Sequence, residues 1–448
     1  GGGRPEGPMT AVPSQLVPAS DRPTPRSGLV RGWRTPQHRD GLALVLSSGI
    51  TSGLGLLFWI LAARLYDPAT VGVNNTVLSA MSLLGTAAQL NLGNALLRFV
   101  PVAGRRARPL VIGCYAAAVV AATLAGAVFA LGASWWAPQL HAAFSGSELL
   151  AFFTVCTPIW TMFVLQDYLL PALKRATVVP LENLVFSVLK IVFLGGAAVL
   201  GMSGGIAVAW VAATGLIVLA VTVYLACVLP RPAVADPAPV YDAAPVTVRD
   251  IASFVRADYA GTVFLLVAVF GLPLVVLARL GPEAAAVYGV VWQIAYALYL
   301  VVNGMGQSLV AHVAADPGRL DAACRGMTGK AMTLLVPASL VIAVAAYPLL
   351  SLFGSHYADE GSLLLALLAL SAVPNVITWS TVWAARVRRD GRVLFGLPAA
   401  VTTTVIAGSW FLMPVMGVVG TGVAWLGTQC VAAAAILLVQ SRRASSSE

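Results

Sequence analysis

The feature that most constrains this chain is a succession of apolar runs, each about as long as a bilayer is thick. A helix crosses the hydrocarbon with ~20 apolar residues. By that measure twelve spans are predicted, at roughly 41–65, 71–97, 110–133, 148–172, 177–200, 204–228, 252–279, 285–310, 328–353, 360–384, 393–413 and 417–440. Charged residues make up 10% of the chain and the mean hydropathy is +0.86, whereas a soluble domain carries ~25% charged residues. So much apolar surface cannot enter one globular core. The predicted fold is an all-α polytopic membrane protein.

Loop charge predicts the orientation, because Lys and Arg favour the cytoplasmic side. The segment before span one holds Arg22, Arg26, Arg31, Arg34 and Arg39, and the segment after span two holds Arg105, Arg106 and Arg108. Lys174 and Arg175 follow span four, Arg231 and Arg249 span six, Arg319 and Arg325 span eight, Arg386 to Arg392 span ten, and Arg442 and Arg443 span twelve. The opposite loops hold Arg64 and Arg279, both at helix ends. Both termini are therefore expected in the cytoplasm. The net charge of +9 reads as this asymmetry, and no nucleic-acid partner is expected. Residues 1–40 lack the apolar core of a cleavable signal and read as a disordered basic tail, with Gly1–Pro8 an appended remnant ahead of Met9. The tail at 441–448 is expected on the same side.

Residues 229–250 are Pro-rich and read as a cytoplasmic linker between two six-helix bundles, 41–228 and 251–440. The bundles look like repeats. A shift of 215 residues places Ala63-Arg64-Leu65 on Ala278-Arg279-Leu280, and Gly205, Val208, Ala209 and Trp210 on Gly420, Val423, Ala424 and Trp425. Pro158 meets Pro374 at a shift of 216. Six is an even number, so the two repeats run the same way, around a central cavity and an axis along the membrane normal. Pro158, Pro171, Pro180, Pro273, Pro337 and Pro374 mark bends. These either serve a bundle that opens and closes or are the ordinary prolines of membrane helices.

Polar side chains inside hydrocarbon cost free energy unless they face protein or water. Span two carries Asn74, Asn75, Gln89, Asn91 and Asn94 and closes on Arg98, so the hairpin 41–98 is expected to line a wet cavity. Its asparagines either bind sugar hydroxyls or bridge helices. Lys190 lies deep in span five, eight residues after Glu182, with Asp167 in span four as a second candidate partner. These three form either a bundle staple or an ion-coupling site. Arg256 and Asp258 at the start of span seven pose the same choice, with a cytoplasmic gate as the functional reading. Trp135, Trp136 and Trp410 read as interface anchors. The five cysteines and four histidines form no ligand pattern, so no metal or cofactor is expected.

The run Ala63-Arg64-Leu65-Tyr66-Asp67-Pro68, then Val71-Gly72, then Leu90-Asn91-Leu92-Gly93-Asn94-Ala95-Leu96-Leu97-Arg98 resembles the start of Wzx-type polysaccharide flippases, in the superfamily of multidrug, oligosaccharidyl-lipid and polysaccharide exporters. The resemblance is specific over about residues 55–100 and extends in layout over all twelve spans. It implies two bundles around a cavity that opens alternately to each side. It also implies an undecaprenyl-diphosphate-linked oligosaccharide as cargo, moved from the cytoplasmic to the outer leaflet. Arginine suits such cargo, because the guanidinium stays charged and binds phosphate oxygens in pairs. Arg64, Arg98 and Arg279 are the candidate diphosphate ligands, with Asn74, Asn91 and Asn94 for sugar. Alternatively, Arg98 is an inside anchor and Arg64 pairs with Asp67. The second half has no arginine aligned with Arg98.

Two other functions compete. A sodium- or proton-coupled multidrug exporter would favour buried acids over arginines. A polyprenyl-dependent membrane glycosyltransferase would want carboxylates in a sizeable outer loop, and the predicted outer loops are short. No phosphate-binding Gly-x-x-x-x-Gly-Lys-Ser/Thr motif occurs, so nucleotide hydrolysis is not expected. The expected protein is thus a monomeric, non-enzymatic flippase of the bacterial inner membrane. Its expected partners are the lipid-linked oligosaccharide, membrane lipids and a polysaccharide polymerase or ligase.

Overall fold

The computed structural model describes the backbone of residues 36–229, 259–313, 320–388 and 390–445, and side chains within these ranges from Ile50. The described residues from Ser47 onward form one compact unit. The predicted tail, most of the linker, and Arg256 and Asp258 lie outside the described residues.

The described residues fold into helices without strands, and every predicted span is largely helical where it is described. We number the long helices α1 (Pro36–Leu65), α2 (Pro68–Ala88), α3 (Ala107–Leu131), α4 (Gly146–Ala172), α5 (Val178–Val199), α6 (Gly205–Val228), α7 (Tyr259–Leu280), α8 (Pro282–Val313), α9 (Leu320–Val344), α10 (Ser355–Arg388), α11 (Gly391–Met416) and α12 (Val419–Ser445). Ten of them, α3 to α12, are long and apolar enough to cross a membrane. The protein is a multi-pass membrane protein.

The second half repeats the packing of the first. In the first half α2 packs on α3 and α4, α3 on α4, α4 on α6 and α5 on α6. In the second, α8 packs on α9 and α10, α9 on α10, α10 on α12 and α11 on α12. The halves meet where α2 lies against α7 and α8, so α2 and its counterpart α8 face each other across the join.

Span two is not one helix. α2 stops at Ala88, Leu90 and Asn91 adopt φ of 53° and 56°, and a short helix, Leu92–Phe99, follows. Asparagine tolerates the left-handed region better than most residues. Its Oδ1 also accepts from the Nδ2 of Asn94, and Gln89 Oε1 accepts from the Gly93 amide. The polar run thus serves to break the helix.

α7 is irregular for another reason. Pro273 cannot donate to the carbonyl four residues back, and its ring crowds that carbonyl. The chain takes up the mismatch in a π-helical turn at Val267–Gly271, just before the proline. Elsewhere the ends follow ordinary capping rules: Ser145 and Glu148 form a reciprocal capping box on α4, and Asp67 caps α2 by accepting from the Thr70 amide at 2.9 Å.

Candidate functional site

The join between the halves is tightest at the end of α2 next to Asp67. A Cβ on Gly72 would stand 1.8 Å from the Pro282 carbonyl oxygen, and one on Gly289 would stand 2.2 Å from Asn75 Nδ2. At Gly72, where the neighbour is backbone, only glycine permits such approach. Beside this contact Arg64, in the last turn of α1, reaches the other half. Its Nε donates to the Leu352 carbonyl at 2.9 Å and its Nη2 to the Ser351 carbonyl at 2.8 Å. These carbonyls end the short helix Ala346–Ser351, where the helix dipole is negative and favours a cation. Asp67 is occupied by Thr70, so Arg64 is a strap between halves rather than its partner.

Asn74 is 1% exposed. Its Nδ2 donates to the Thr70 and Ser203 carbonyls, both at 2.9 Å, and its Oδ1 accepts from the Ala207 amide at 3.0 Å. Both N–H groups and the oxygen are engaged, and the bonds to Ser203 and Ala207 tie α2 to the start of α6, so Asn74 bridges helices.

Lys190 takes the centre of the first half. Its Nζ lies 4.3 Å from the Trp210 ring, 4.9 Å from Phe186 and 5.2 Å from Phe58. The negative faces of the rings stabilise the ammonium in place of water. It pairs with neither predicted acid. Eight residues along a helix is about 12 Å, which sets Glu182 out of reach. Glu182 instead lies close enough to Asp167 and Tyr115 for electrostatic interaction. Both Glu182 carboxylate oxygens, Asp167 Oδ1 and the Tyr115 hydroxyl are buried without a hydrogen-bond partner. Asn183 lies beside Asp167. The first half therefore holds a caged cation and, separately, a pair of acids from α4 and α5 with a phenol from α3.

At the opposite end the halves meet through Tyr259, whose hydroxyl donates to the Ala87 carbonyl at 2.8 Å, beside the α2 break. Tyr168 packs on Gly93 and lies within electrostatic reach of Arg386 from the other half. Arg386 stacks 4.5 Å over Trp383, and exposed Arg98 lies 5.4 Å over Phe99. Between α2, α3 and α7 is an apolar cavity of about 390 Å³, bounded by Leu84, Ala88, Ala121, Tyr259 and Val263. Arg279 goes elsewhere: it is exposed at the end of α7 and lies 4.6 Å over Trp410. Arg64, Arg98 and Arg279 therefore stand at three separate places and are not brought together.

The ring cage, the Gly72 and Gly289 contacts and Tyr259 are the parts the sequence reading missed. One signal was present, since Phe186 and Trp210 flank a lone lysine and Trp210 recurs in the repeat. Among the described residues no group of three His, Cys, Asp or Glu side chains could hold a metal.

No protein-family model matches the chain, and no curated protein matches it in sequence. Solved structures do. An inward-facing multidrug resistance MATE family transporter of the MOP superfamily superposes with a TM-score of 0.65 at 16% identity, over 88% of this chain and 94% of that one. The lipid II flippase MurJ, in an inward closed conformation, gives 0.62 at 11% identity, over 89% and 87%. A MOP superfamily transporter from Pyrococcus furiosus gives 0.57 at 16%, over 89% and 94%. The chain has the fold of these transporters. At such identities the likeness concerns fold, and what the chain carries has to be argued from its own residues.

Proposed function

We propose that the protein is a flippase that moves an undecaprenyl-diphosphate-linked oligosaccharide from the cytoplasmic to the outer leaflet by alternating access. The observation that carries the reading is the difference between the two ends of the join. At the Arg64 end, which the loop charges assign to the outside, backbones touch and an arginine straps the halves together. At the other end Arg98 and Arg386 come from opposite halves, and an apolar cavity lies between α2, α3 and α7. A diphosphate suits the cations and a polyprenyl chain suits the apolar walls. MurJ, with the same fold, is a flippase of lipid II.

The acids Asp167 and Glu182, with three buried carboxylate oxygens that find no hydrogen-bond partner, favour a second reading, a cation-coupled multidrug exporter. A reconstitution separates the two. In proteoliposomes holding a fluorescent lipid-diphosphate sugar, the flippase makes the inner-leaflet sugar accessible to an external lectin faster than in protein-free vesicles. No acceleration, together with drug efflux driven by a proton or sodium gradient, would establish the second reading instead.

A further inference from the structure

The lipid-facing side of the second half carries a groove of about 480 Å³ between α7 and α11. Its walls are apolar, including Val263, Phe264 and Ile406, with Val275, Trp410 and Phe411 toward the Arg279 end. The buried hydroxyl of Thr402 is already used, donating to the Phe264 carbonyl at 2.8 Å. Phe411 is 75% exposed, so the groove opens outward to the surrounding lipid.

Arg279 stands one helical turn beyond Val275 and on the same face of α7. Its guanidinium carbon lies over Trp410, a wall of the groove, and among the described residues it meets no carboxylate. A guanidinium held over a ring face gives up none of its N–H groups to a hydrogen-bond acceptor there, so they remain able to bind an anion. An apolar trough that ends in an uncompensated arginine matches one amphiphile: a chain of hydrocarbon under a phosphate.

We propose that this groove binds an anionic glycerophospholipid of the bilayer, with one acyl chain between α7 and α11 and the headgroup phosphate on Arg279. The groove shares Val263 and Val267 with the cavity between α2, α3 and α7, but its cation is Arg279, so a test on Arg279 and residues 403–411 can fail without the cargo assay failing.

The test uses the purified full chain, titrated with phosphatidylglycerol or phosphatidylcholine of identical acyl chains and read by native mass spectrometry. Wild type should prefer phosphatidylglycerol. Arg279→Gln should lose that preference by about fivefold, the value of one cation at a membrane surface, with phosphatidylcholine retention unchanged. Arg279→Lys should keep most of it. Ala407→Trp, which fills the trough, should weaken both lipids. A diazirine-tailed phosphatidylglycerol should label peptides containing Thr403 or Phe411 in the unmutated protein, a readout that needs no variant to fold. Equal retention of the two lipids, a preference that survives in Arg279→Gln, or absence of label at 403–411 would overturn the proposal. Equal competition by soluble glycerol phosphate would do so too, by making the site one for free phosphate.

Discussion

In the first half, Lys190 is ringed by Phe58, Phe186 and Trp210. In the second, the residues 215 positions along are Val405, Pro273, Val401 and Trp425. The helices pack alike, yet one centre is a caged ammonium and the other is hydrocarbon. Trp425 turns to other rings, 4.8 Å from Trp292 and 6.0 Å from Tyr299. Among the described residues, Glu182 and Lys190 are the buried charged side chains, and both belong to the first half. A repeated scaffold has thus been given two interiors. Among the described residues only the first holds buried charged side chains, so a response to a proton or ion is expected from that half.

The largest effect should come from forcing the interiors to match. Val405→Lys places an ammonium where no cage awaits it, and an uncompensated buried charge costs about 3–5 kcal/mol. The variant should accumulate poorly and unfold well below wild type in a detergent thermal melt. The converse, Lys190→Met, keeps the packing and removes the charge, so it should stay close to wild type in the same melt. If the two behave alike, the interiors do not differ in the way described.

The join offers the next two effects. Gly72→Leu meets backbone, which cannot move aside as a side chain can, so a cost of about 3 kcal/mol is expected, the upper range for overpacking. The counterpart Val287 already bears a side chain at 1% exposure, so Val287→Leu should cost less in the same melt. Arg64→Ala removes two bonds from a charged donor. Its cost to the closed join is about 2 kcal/mol, or roughly a thirtyfold shift toward opening at that end. Labelling of a cysteine introduced at Ser351 should accelerate accordingly, whereas Arg279→Ala should leave that labelling unchanged.

The matched triplets Ala63-Arg64-Leu65 and Ala278-Arg279-Leu280 show how far the sequence could be read. Each arginine does lie in the last turn of its helix, because apolar length and a terminal cation fix where a span ends. What each reaches was not legible. Arg64 finds carbonyls 287 and 288 residues away and Arg279 finds Trp410, and nothing in either triplet encodes the partner. The polar face of α2 was ambiguous in a related way. Asn74 was left open between binding sugar and bridging helices, and its four-residue reach to Thr70 and its distant partners Ser203 and Ala207 select the bridge. The lysine was legible as buried, while its compensation by rings from α1, α5 and α6 required the packing. The break at Leu90–Asn91 was hidden because its polar residues, Gln89, Asn91 and Asn94, were read as the lining of one continuous span.

The smallest effect separates the starts of α2 and α8. Asp67 caps α2 and its carboxyl sits below the ordinary value of 3.8, chiefly because Thr70 hydrogen-bonds the charged form. At α8 the corresponding place is Gly281, with φ of 92° and no side chain to cap with. A folded-state pKa below the unfolded one means the cap stabilises above the ordinary carboxylate range. That contribution fades as pH falls from about 3.8 through the lowered folded-state value. Asp67→Ala should therefore cost about 1 kcal/mol at neutral pH, and its melt should converge on that of wild type in acid. Asparagine caps as well as aspartate but does not titrate, so Asp67→Asn should keep most of the neutral-pH stability and flatten the acid limb. An Asp67→Ala deficit that persists unchanged below pH 3 would assign the loss to packing at the join, where Tyr66 and Arg64 are neighbours, and not to the cap.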